Sequence, residues 1–169
     1  VCAKLHRYPI TRFLDLGALA LLTGQIIGRF GCIVNGDAAG GPTGLPWGFI
    51  YTNPNAIMPN DSLWGVPTHP YPVYDMLWNL AIITSLLLVR KRIKTDGVVF
   101  FSYVFFYAAG RFFLSYVREE QVWFWGLQEA QVLSLLAMPA AVAAIVYLRT
   151  RSKPARAEEV APTPPPTAI

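Results

Sequence analysis

Four apolar runs constrain this chain more than any other feature: Phe13 to Gly31, Pro72 to Val89, Gly97 to Val117 and Glu129 to Leu148. Each is close to the ~20 residues that a helix needs to cross a hydrocarbon core of ~30 Å. The expected fold is therefore all-α, a polytopic membrane helix bundle of about four transmembrane helices at 13–31, 72–89, 97–117 and 129–148. A long Gly/Pro-rich outer loop, about 32–71, separates the first two. The first run is the least apolar, because it holds Asp15, Thr23 and Gln25.

The basic residues give these helices a direction. Lys4, Arg7 and Arg12 precede the first run, Arg90, Lys91, Arg92 and Lys94 lie between the second and third, and Arg149, Arg151, Lys153 and Arg156 follow the fourth. Eleven of the fourteen Lys and Arg residues thus fall on one side, which the positive-inside rule assigns to the cytoplasm. The loop at 32–71 and the turn at 118–128 then face outward. The net charge of +4 is read as topology with some attraction to anionic lipid, since the basic clusters are short and juxtamembrane and no nucleic-acid-binding motif occurs.

Cys2 and Cys32 fall on opposite sides in this arrangement and cannot bridge to each other. His6 and His69 are separated in the same way, so no metal site and no cofactor is expected. The chain opens on Val1 with no signal peptide before its first basic cluster, and reads as part of something longer. Residues 1–152 are expected to form the membrane domain, and the proline-rich stretch 153–169 a disordered cytoplasmic tail.

Three basic residues, Arg29, Arg111 and Arg118, stand apart at or near the outward ends of helices. An arginine in a spanning segment is costly and marks a functional site by default, and the abundant anion at that depth is a phospholipid headgroup. Tyr103, Tyr107, Arg111 and Ser115 recur every four residues, which stacks them on one face of the third helix, with Arg118 three residues on. Such a stripe either glues helices together or lines a site, and Tyr107 fits both readings. Asp75 and Asn79 are also four apart near the start of the second helix, where Asp75 is placed to pair with an outward arginine. His69 is either a loop histidine near the membrane surface or a proton acceptor at the mouth of the site.

Gly28 and Gly31 flank Arg29 and leave backbone room for a phosphate beside its planar fork, although Gly-Arg-x-Gly alone also describes a helix end with a snorkelling arginine. The loop that follows is rich in glycine and proline, and its Trp47, Tyr51 and Trp64 suit headgroup level. Gln131 and Ser134 share a face of the fourth helix and extend the polar interior.

From about Arg12 to Leu148 the order of these residues resembles the prolipoprotein diacylglyceryl transferase family. Gly28-Arg29-Phe30-Gly31-Cys32-Ile33-Val34-Asn35-Gly36-Asp37-Ala38-Ala39-Gly40 resembles the family signature Gly-Arg-x-Gly-Asn-Phe-x-Asn-Gly-Glu-x-x-Gly. His69-Pro70 through Tyr74-Asp75, then Tyr107, Arg111 and Arg118, and finally Gln131 and Ser134 continue the match. The resemblance implies an enzyme of the bacterial cytoplasmic (inner) membrane that moves a diacylglyceryl group from phosphatidylglycerol to the cysteine thiol of a prolipoprotein signal peptide. It implies catalytic roles for Arg111 and Tyr107 and substrate binding by Arg29, Asn35, Gly36, Gly40 and Arg118, the last supporting the site through an acidic partner; His69 is kept as a catalytic candidate that the resemblance does not make the principal base. Membrane lipids are expected partners and nucleic acid is not.

Cys32 stands where the signature has Asn, Asp37 where it has Glu, and Ser115 where the third helix usually carries Glu. The further spanning helices and the His-Gly-Gly motif that family members carry ahead of this region do not occur in residues 1–169. An alternative therefore stands beside the transferase: a non-catalytic phospholipid-binding membrane protein, or an inactive fragment of such a transferase.

Overall fold

The computed structural model describes residues 10–118, 122–124 and 126–159; Cys2, Lys4, His6, Arg7 and residues 160–169 lie outside the described residues. Four helices carry the fold: α1 (Ile10–Asn35), α2 (Tyr71–Val89), α3 (Val98–Leu114) and α4 (Glu129–Glu159). A small antiparallel hairpin, β1 (Val122–Phe124) with β2 (Leu127–Gln128), joins α3 to α4. α4 packs on α3, and α1 and α2 pack on each other and on α3.

Three stretches, Ile10–Asn35, Tyr71–Val89 and Glu129–Arg151, are long and apolar enough to cross a membrane by length and composition. α3 has 17 residues, a length of about 26 Å at 1.5 Å per residue. The bundle has the inverted surface of a protein solvated by lipid. Leu21, Ile27, Leu80, Leu88, Leu136 and Val146 point outward while Asp75, Asn79, Gln131 and Ser134 are buried. The chain is accordingly a multi-pass membrane protein.

The helix boundaries depart from the sequence expectation for local reasons. α1 runs through Gly28 and Gly31 and stops only at Gly36, whose φ of 79° and N–H bond to the Cys32 carbonyl (2.9 Å) form a glycine C-cap. α3 ends at Leu114 rather than at Val117. The Ser115 hydroxyl turns back to the Arg111 carbonyl, the Tyr116 and Val117 N–H groups bond three residues back, and the chain leaves the helix as a turn. Arg118 therefore does not sit one more turn along the α3 stripe. At the other end of the chain α4 continues to Glu159, beyond Lys153 where the tail was expected to begin.

Each inner helix presents a seam at helical spacing. Ala18 and Leu22 on α1, Ile82 and Leu86 on α2, and Val99 and Tyr103 on α3 form one apolar cluster. Further along the same seams come Gln25 and Arg29 on α1, Asn79, Asp75 and Tyr71 on α2, and Tyr107 and Arg111 on α3. The bundle thus has an apolar end and a polar end, and the loop between α1 and α2 lies at the polar one. α2 approaches α3 closely because Gly110 leaves space that the Trp78 indole occupies, and Trp78 Nε1 donates to the Phe106 carbonyl at 3.0 Å.

Asp15, the charge that weakens the first apolar run, caps another helix. Its two carboxylate oxygens accept from the N–H groups of Gly97 (2.7 Å) and Phe100 (2.8 Å), the N-cap and third residue of α3. One side chain on α1 thereby satisfies the two donors that a capping box satisfies from within its own helix. Asp15→Ala should strand both donors and cost about 1–3 kcal/mol. Thermal unfolding in detergent should show a lowered midpoint, with Asp15→Asn intermediate.

Candidate functional site

The polar end is organised around Tyr71, which is fully buried at the start of α2. Pro72 follows it in the first turn, where the missing N–H is tolerated, and the Tyr71 N–H donates to the His69 carbonyl at 2.8 Å. Three guanidinium carbons lie over its ring, those of Arg29 at 5.6 Å, Arg111 at 6.0 Å and Arg118 at 5.2 Å from the centroid. Arg111 Nη1 also donates to the Tyr71 hydroxyl. The cations arrive from three separate places, α1, α3 and the segment after α3.

Asp75, one turn beyond Tyr71, anchors the first of them. Arg29 Nε donates to Asp75 Oδ2 at 2.7 Å, and Asn79 Nδ2 bonds the same oxygen at 3.0 Å. Tyr71, Asp75 and Asn79 thus form a stripe at four-residue spacing, all of it buried. Arg29 Nη1 also contacts Cys32 Sγ at 3.7 Å, a weak partner one turn on. Deeper in the bundle Gln25 Nε2 donates to the Tyr103 hydroxyl at 3.1 Å, and Tyr103 packs on Tyr107 with ring centroids 5.8 Å apart.

Arg118 reaches the cluster through the outer loop. Gly40 and Arg118 form a β-bridge, the Gly41 N–H donates to the Val117 carbonyl (2.9 Å), and the Gly40 N–H donates to the His69 carbonyl (3.0 Å). Gly40 sits so tightly here that a Cβ would lie 2.7 Å from both His69 Cβ and the Val117 carbonyl oxygen. Gln128 Nε2 then donates to the Arg118 carbonyl (3.1 Å), and the buried Gln131 accepts from the Gln128 N–H (3.0 Å), which ties the segment to the start of α4.

The remaining sequence-selected residues are spread around this cluster. Tyr107 and Arg111 share with Ser134 and Leu133 the wall of a cavity of about 250 Å³ between α3 and α4, apolar along most of its surface and polar where Arg111 stands. His69 lies at the loop end: its backbone is in the Gly40 ladder, while its ring turns to the Tyr74 hydroxyl (Nδ1 to Oη 3.4 Å), which also accepts from Trp47 Nε1 (2.9 Å). Asn35 is exposed at the end of α1, where its carbonyl accepts from Ile57, and Gly36 packs under Tyr51 and Met58. Burial, with Asp37 and Cys32 nearby, pushes the Tyr51 phenol above its ordinary value. Among the described residues, no cluster of His, Cys, Asp or Glu is placed to hold a metal ion.

Sequence reasoning missed Tyr71. The signal was present, because the Asp75 and Asn79 register extended back by one turn reaches it.

A helix bundle with lipid-facing apolar surfaces that gathers arginines at one end around a buried phenol defines an integral membrane protein with a concentrated cationic site. The comparisons narrow the class: a family model of prolipoprotein diacylglyceryl transferase matches residues 1–147, and the chain belongs to that family. It is similar to phosphatidylglycerol--prolipoprotein diacylglyceryl transferases of Clostridioides difficile strain 630 (33% identical over 94% of this chain and 59% of that protein) and Lysinibacillus sphaericus strain C3-41 (32% over 92% and 58%). The corresponding protein of Oceanobacillus iheyensis is 34% identical over 88% of this chain and 53% of its own length. The chain therefore spans a little over half the length of the curated relatives it matches.

Gly40→Ala should force the His69 and Val117 backbones apart and release Arg118 from the cluster. Disulfide bridging of Gly41→Cys with Val117→Cys in an otherwise cysteine-free background measures that separation, with bridging expected when residue 40 is Gly and lost when it is Ala.

Proposed function

We propose that the arginine cluster holds the phosphate of phosphatidylglycerol, and that the chain takes part in moving the diacylglyceryl group of that lipid to the cysteine thiol of a prolipoprotein signal peptide. The observation that carries this reading is the meeting of Arg29 and Arg111, from two different helices, at one buried ring in a lipid-solvated bundle. Asp75 takes Arg29 through Nε and Tyr71 takes Arg111 through Nη1, so each guanidinium keeps N–H groups for a phosphate oxygen. The cavity beside Arg111, apolar along its length, suits the glycerol and acyl portion of the lipid.

In the proposed reaction the thiolate sulfur attacks the glycerol carbon that bears the phosphate. A C–S bond forms, the C–O bond breaks, and its electron pair leaves with the phosphate of glycerol phosphate. Charge grows on that phosphate in the transition state, which is where fixed guanidinium donors lower the barrier. The thiol proton passes to a base and finally to the released phosphate or to water. Permanently protonated arginines cannot take it, and His69 Nε2 is the candidate when Nδ1 carries the hydrogen toward Tyr74. Tyr107 orients the polar end of the cavity, and Asn35, Gly36 and Gly40 shape the headgroup loop, with Gly40 carrying Arg118 to the site. The reading places the protein in the bacterial cytoplasmic (inner) membrane with four spans, residues 1–152 as its membrane domain and the polar end outward.

Two experiments test this. In the protein expressed from its complete coding sequence, Arg29→Ala and Arg111→Ala should each abolish phosphatidylglycerol-dependent thioether formation on a signal peptide. The Lys variants should recover little, because an ammonium lacks the bidentate fork. Transfer at the unsubstituted rate in both Ala variants overturns the reading. For the topology, a membrane-impermeant maleimide applied to intact cells should modify Cys32 in a Cys2→Ser background and should spare Thr95→Cys when Cys2 and Cys32 are both Ser. Labelling at position 95 from outside reverses the orientation.

A further inference from the structure

We propose that the outer loop is seated in the membrane: the turn at residues 43–48, together with Ile50 and Ile57, is immersed at headgroup depth in the leaflet that surrounds the polar end of the bundle. The inference stands on the lipid-solvated character of the helices and is independent of the phosphate-binding reading above.

Between Asp37 and Asp61 the loop carries no charged residue. Ordinary soluble domains hold about 25% Asp, Glu, Lys and Arg, so a water-facing segment of this length would carry several. The apolar side chains of this neutral stretch are not folded inward either: Leu45 is 38% exposed, Trp47 55%, Ile50 54% and Ile57 66%. Several such residues in an uncharged loop mark a surface that meets something apolar.

Their placement says what they meet. Trp47 Nε1 donates to the Tyr74 hydroxyl at 2.9 Å, so the indole lies beside the first turn of α2. The Ile57 N–H donates to the Asn35 carbonyl at 2.7 Å, which sets Ile57 beside the last residue of α1. Both are ends of helices whose outward faces meet lipid, with Leu77 exposed on α2 and Phe30 and Val34 exposed on α1. The loop residues therefore continue the lipid-facing surface past the helix ends, at the level where tryptophan concentrates in membrane proteins.

The turn is also built for low exposure to water. The Thr43 N–H donates to the Pro67 carbonyl (2.8 Å), Leu45 N–H to the Thr43 hydroxyl (3.2 Å), Gly48 N–H to the Leu45 carbonyl (3.1 Å) and Phe49 N–H to the Thr68 carbonyl (2.9 Å), while Pro42 and Pro46 have no N–H to satisfy. Because Tyr74 takes the Trp47 indole N–H, that ring can leave water without stranding its donor. The charges that flank the stretch, Asp37 and Asp61, are acidic, so the attraction to a leaflet with anionic headgroups is hydrophobic rather than electrostatic. Pro42 and Phe49 both pair with Thr68, and the next residue, His69, bonds through its backbone to Gly40 and Gly41. Seating the turn thus fixes the depth of the ladder that carries His69 and Gly40 across the polar end.

The test uses the protein expressed from its complete coding sequence, in a cysteine-free background, with Leu45→Cys or Ile57→Cys carrying a fluorophore and reconstituted in vesicles of phosphatidylglycerol and phosphatidylcholine. Two quenchers are compared: a phosphatidylcholine with a nitroxide close to its headgroup, scaled to its effect on a lipid-linked fluorophore, and a water-soluble nitroxide, scaled to its effect on the free fluorophore. Labels at positions 45 and 57 should lose more emission to the lipid quencher than to the soluble one. A label at either position that the soluble quencher reaches at least as strongly overturns the inference, and so does one shielded from both, which would mean that protein covers the surface. Ile50→Cys takes the place of either variant that fails to fold. The phosphate-binding reading is decided separately, by the Arg29 and Arg111 variants, and can stand or fall without changing this result.

Discussion

A guanidinium held within a lipid-solvated bundle must be answered by the protein, and the Arg29–Asp75 ion pair is the answer on which the polar end depends. Arg29 is on α1 and Asp75 on α2, and one carboxylate oxygen accepts from both Arg29 and Asn79. Removing one member of such a buried pair leaves the other charged and unsatisfied, a loss of about 3–5 kcal/mol, so the register of α1 against α2 is fixed by this contact as much as by the apolar cluster beneath it. Once that register is set, Gln25 faces Tyr103 one turn deeper, and Leu22 and Ala18 meet Ile82 and Leu86 further in. Polar and apolar layers therefore follow from a single alignment of seams.

The second constraint is the loop. A segment of some thirty-five residues between α1 and α2 could wander, but it is pinned where it matters by close backbone approach at Gly40. The bridges of Gly40 to Arg118 and of Thr68 to Pro42 and Phe49 turn the loop into a short ladder across the polar end. The end of α3 cooperates: by unwinding after Leu114 it frees Val117 and Arg118 to join that ladder. A loop glycine, a helix terminus and an arginine thus serve one purpose, the delivery of a third guanidinium to the ring.

Much of this was legible in the sequence, and the failures have physical causes. The apolar runs gave the helical bundle, and the isolated arginines gave the polar end, because both signals are local: run length and charge at depth. The pairing of Asp75 with an outward arginine followed from its position in the first turns of α2. Helix ends were less legible. Gly28 and Gly31 suggested an early stop, yet a glycine facing open space does not break a helix; the stop needed the positive φ of Gly36. Ser115 and Arg118 fit the α3 stripe by spacing alone, and only the tertiary pull of Gly40 shows why the helix ends before them. Asp15 looked like a blemish in a spanning run because its partners, the N–H groups of Gly97 and Phe100, are more than eighty residues away. Tyr71 was hidden for the same reason, since a ring becomes a hub only when three distant segments converge on it.

The departures from the family signature bear on charge in the same place. Ser115, standing where Glu is usual, is buried with its hydroxyl bonded to the Arg111 carbonyl, so it satisfies backbone and offers Arg111 no counter-ion. Cys32, standing for Asn, meets Arg29 Nη1 only through a weak sulfur contact at 3.7 Å, where an amide oxygen would hold that N–H firmly. Both changes leave guanidinium donors less committed to the protein than the signature residues would. The Tyr71 hydroxyl, which accepts from Arg111 Nη1, gives that guanidinium a neutral partner instead. In this chain Asp75 holds Arg29 and, one turn earlier on α2, Tyr71 holds Arg111, so the two arginines are tied to a single helix.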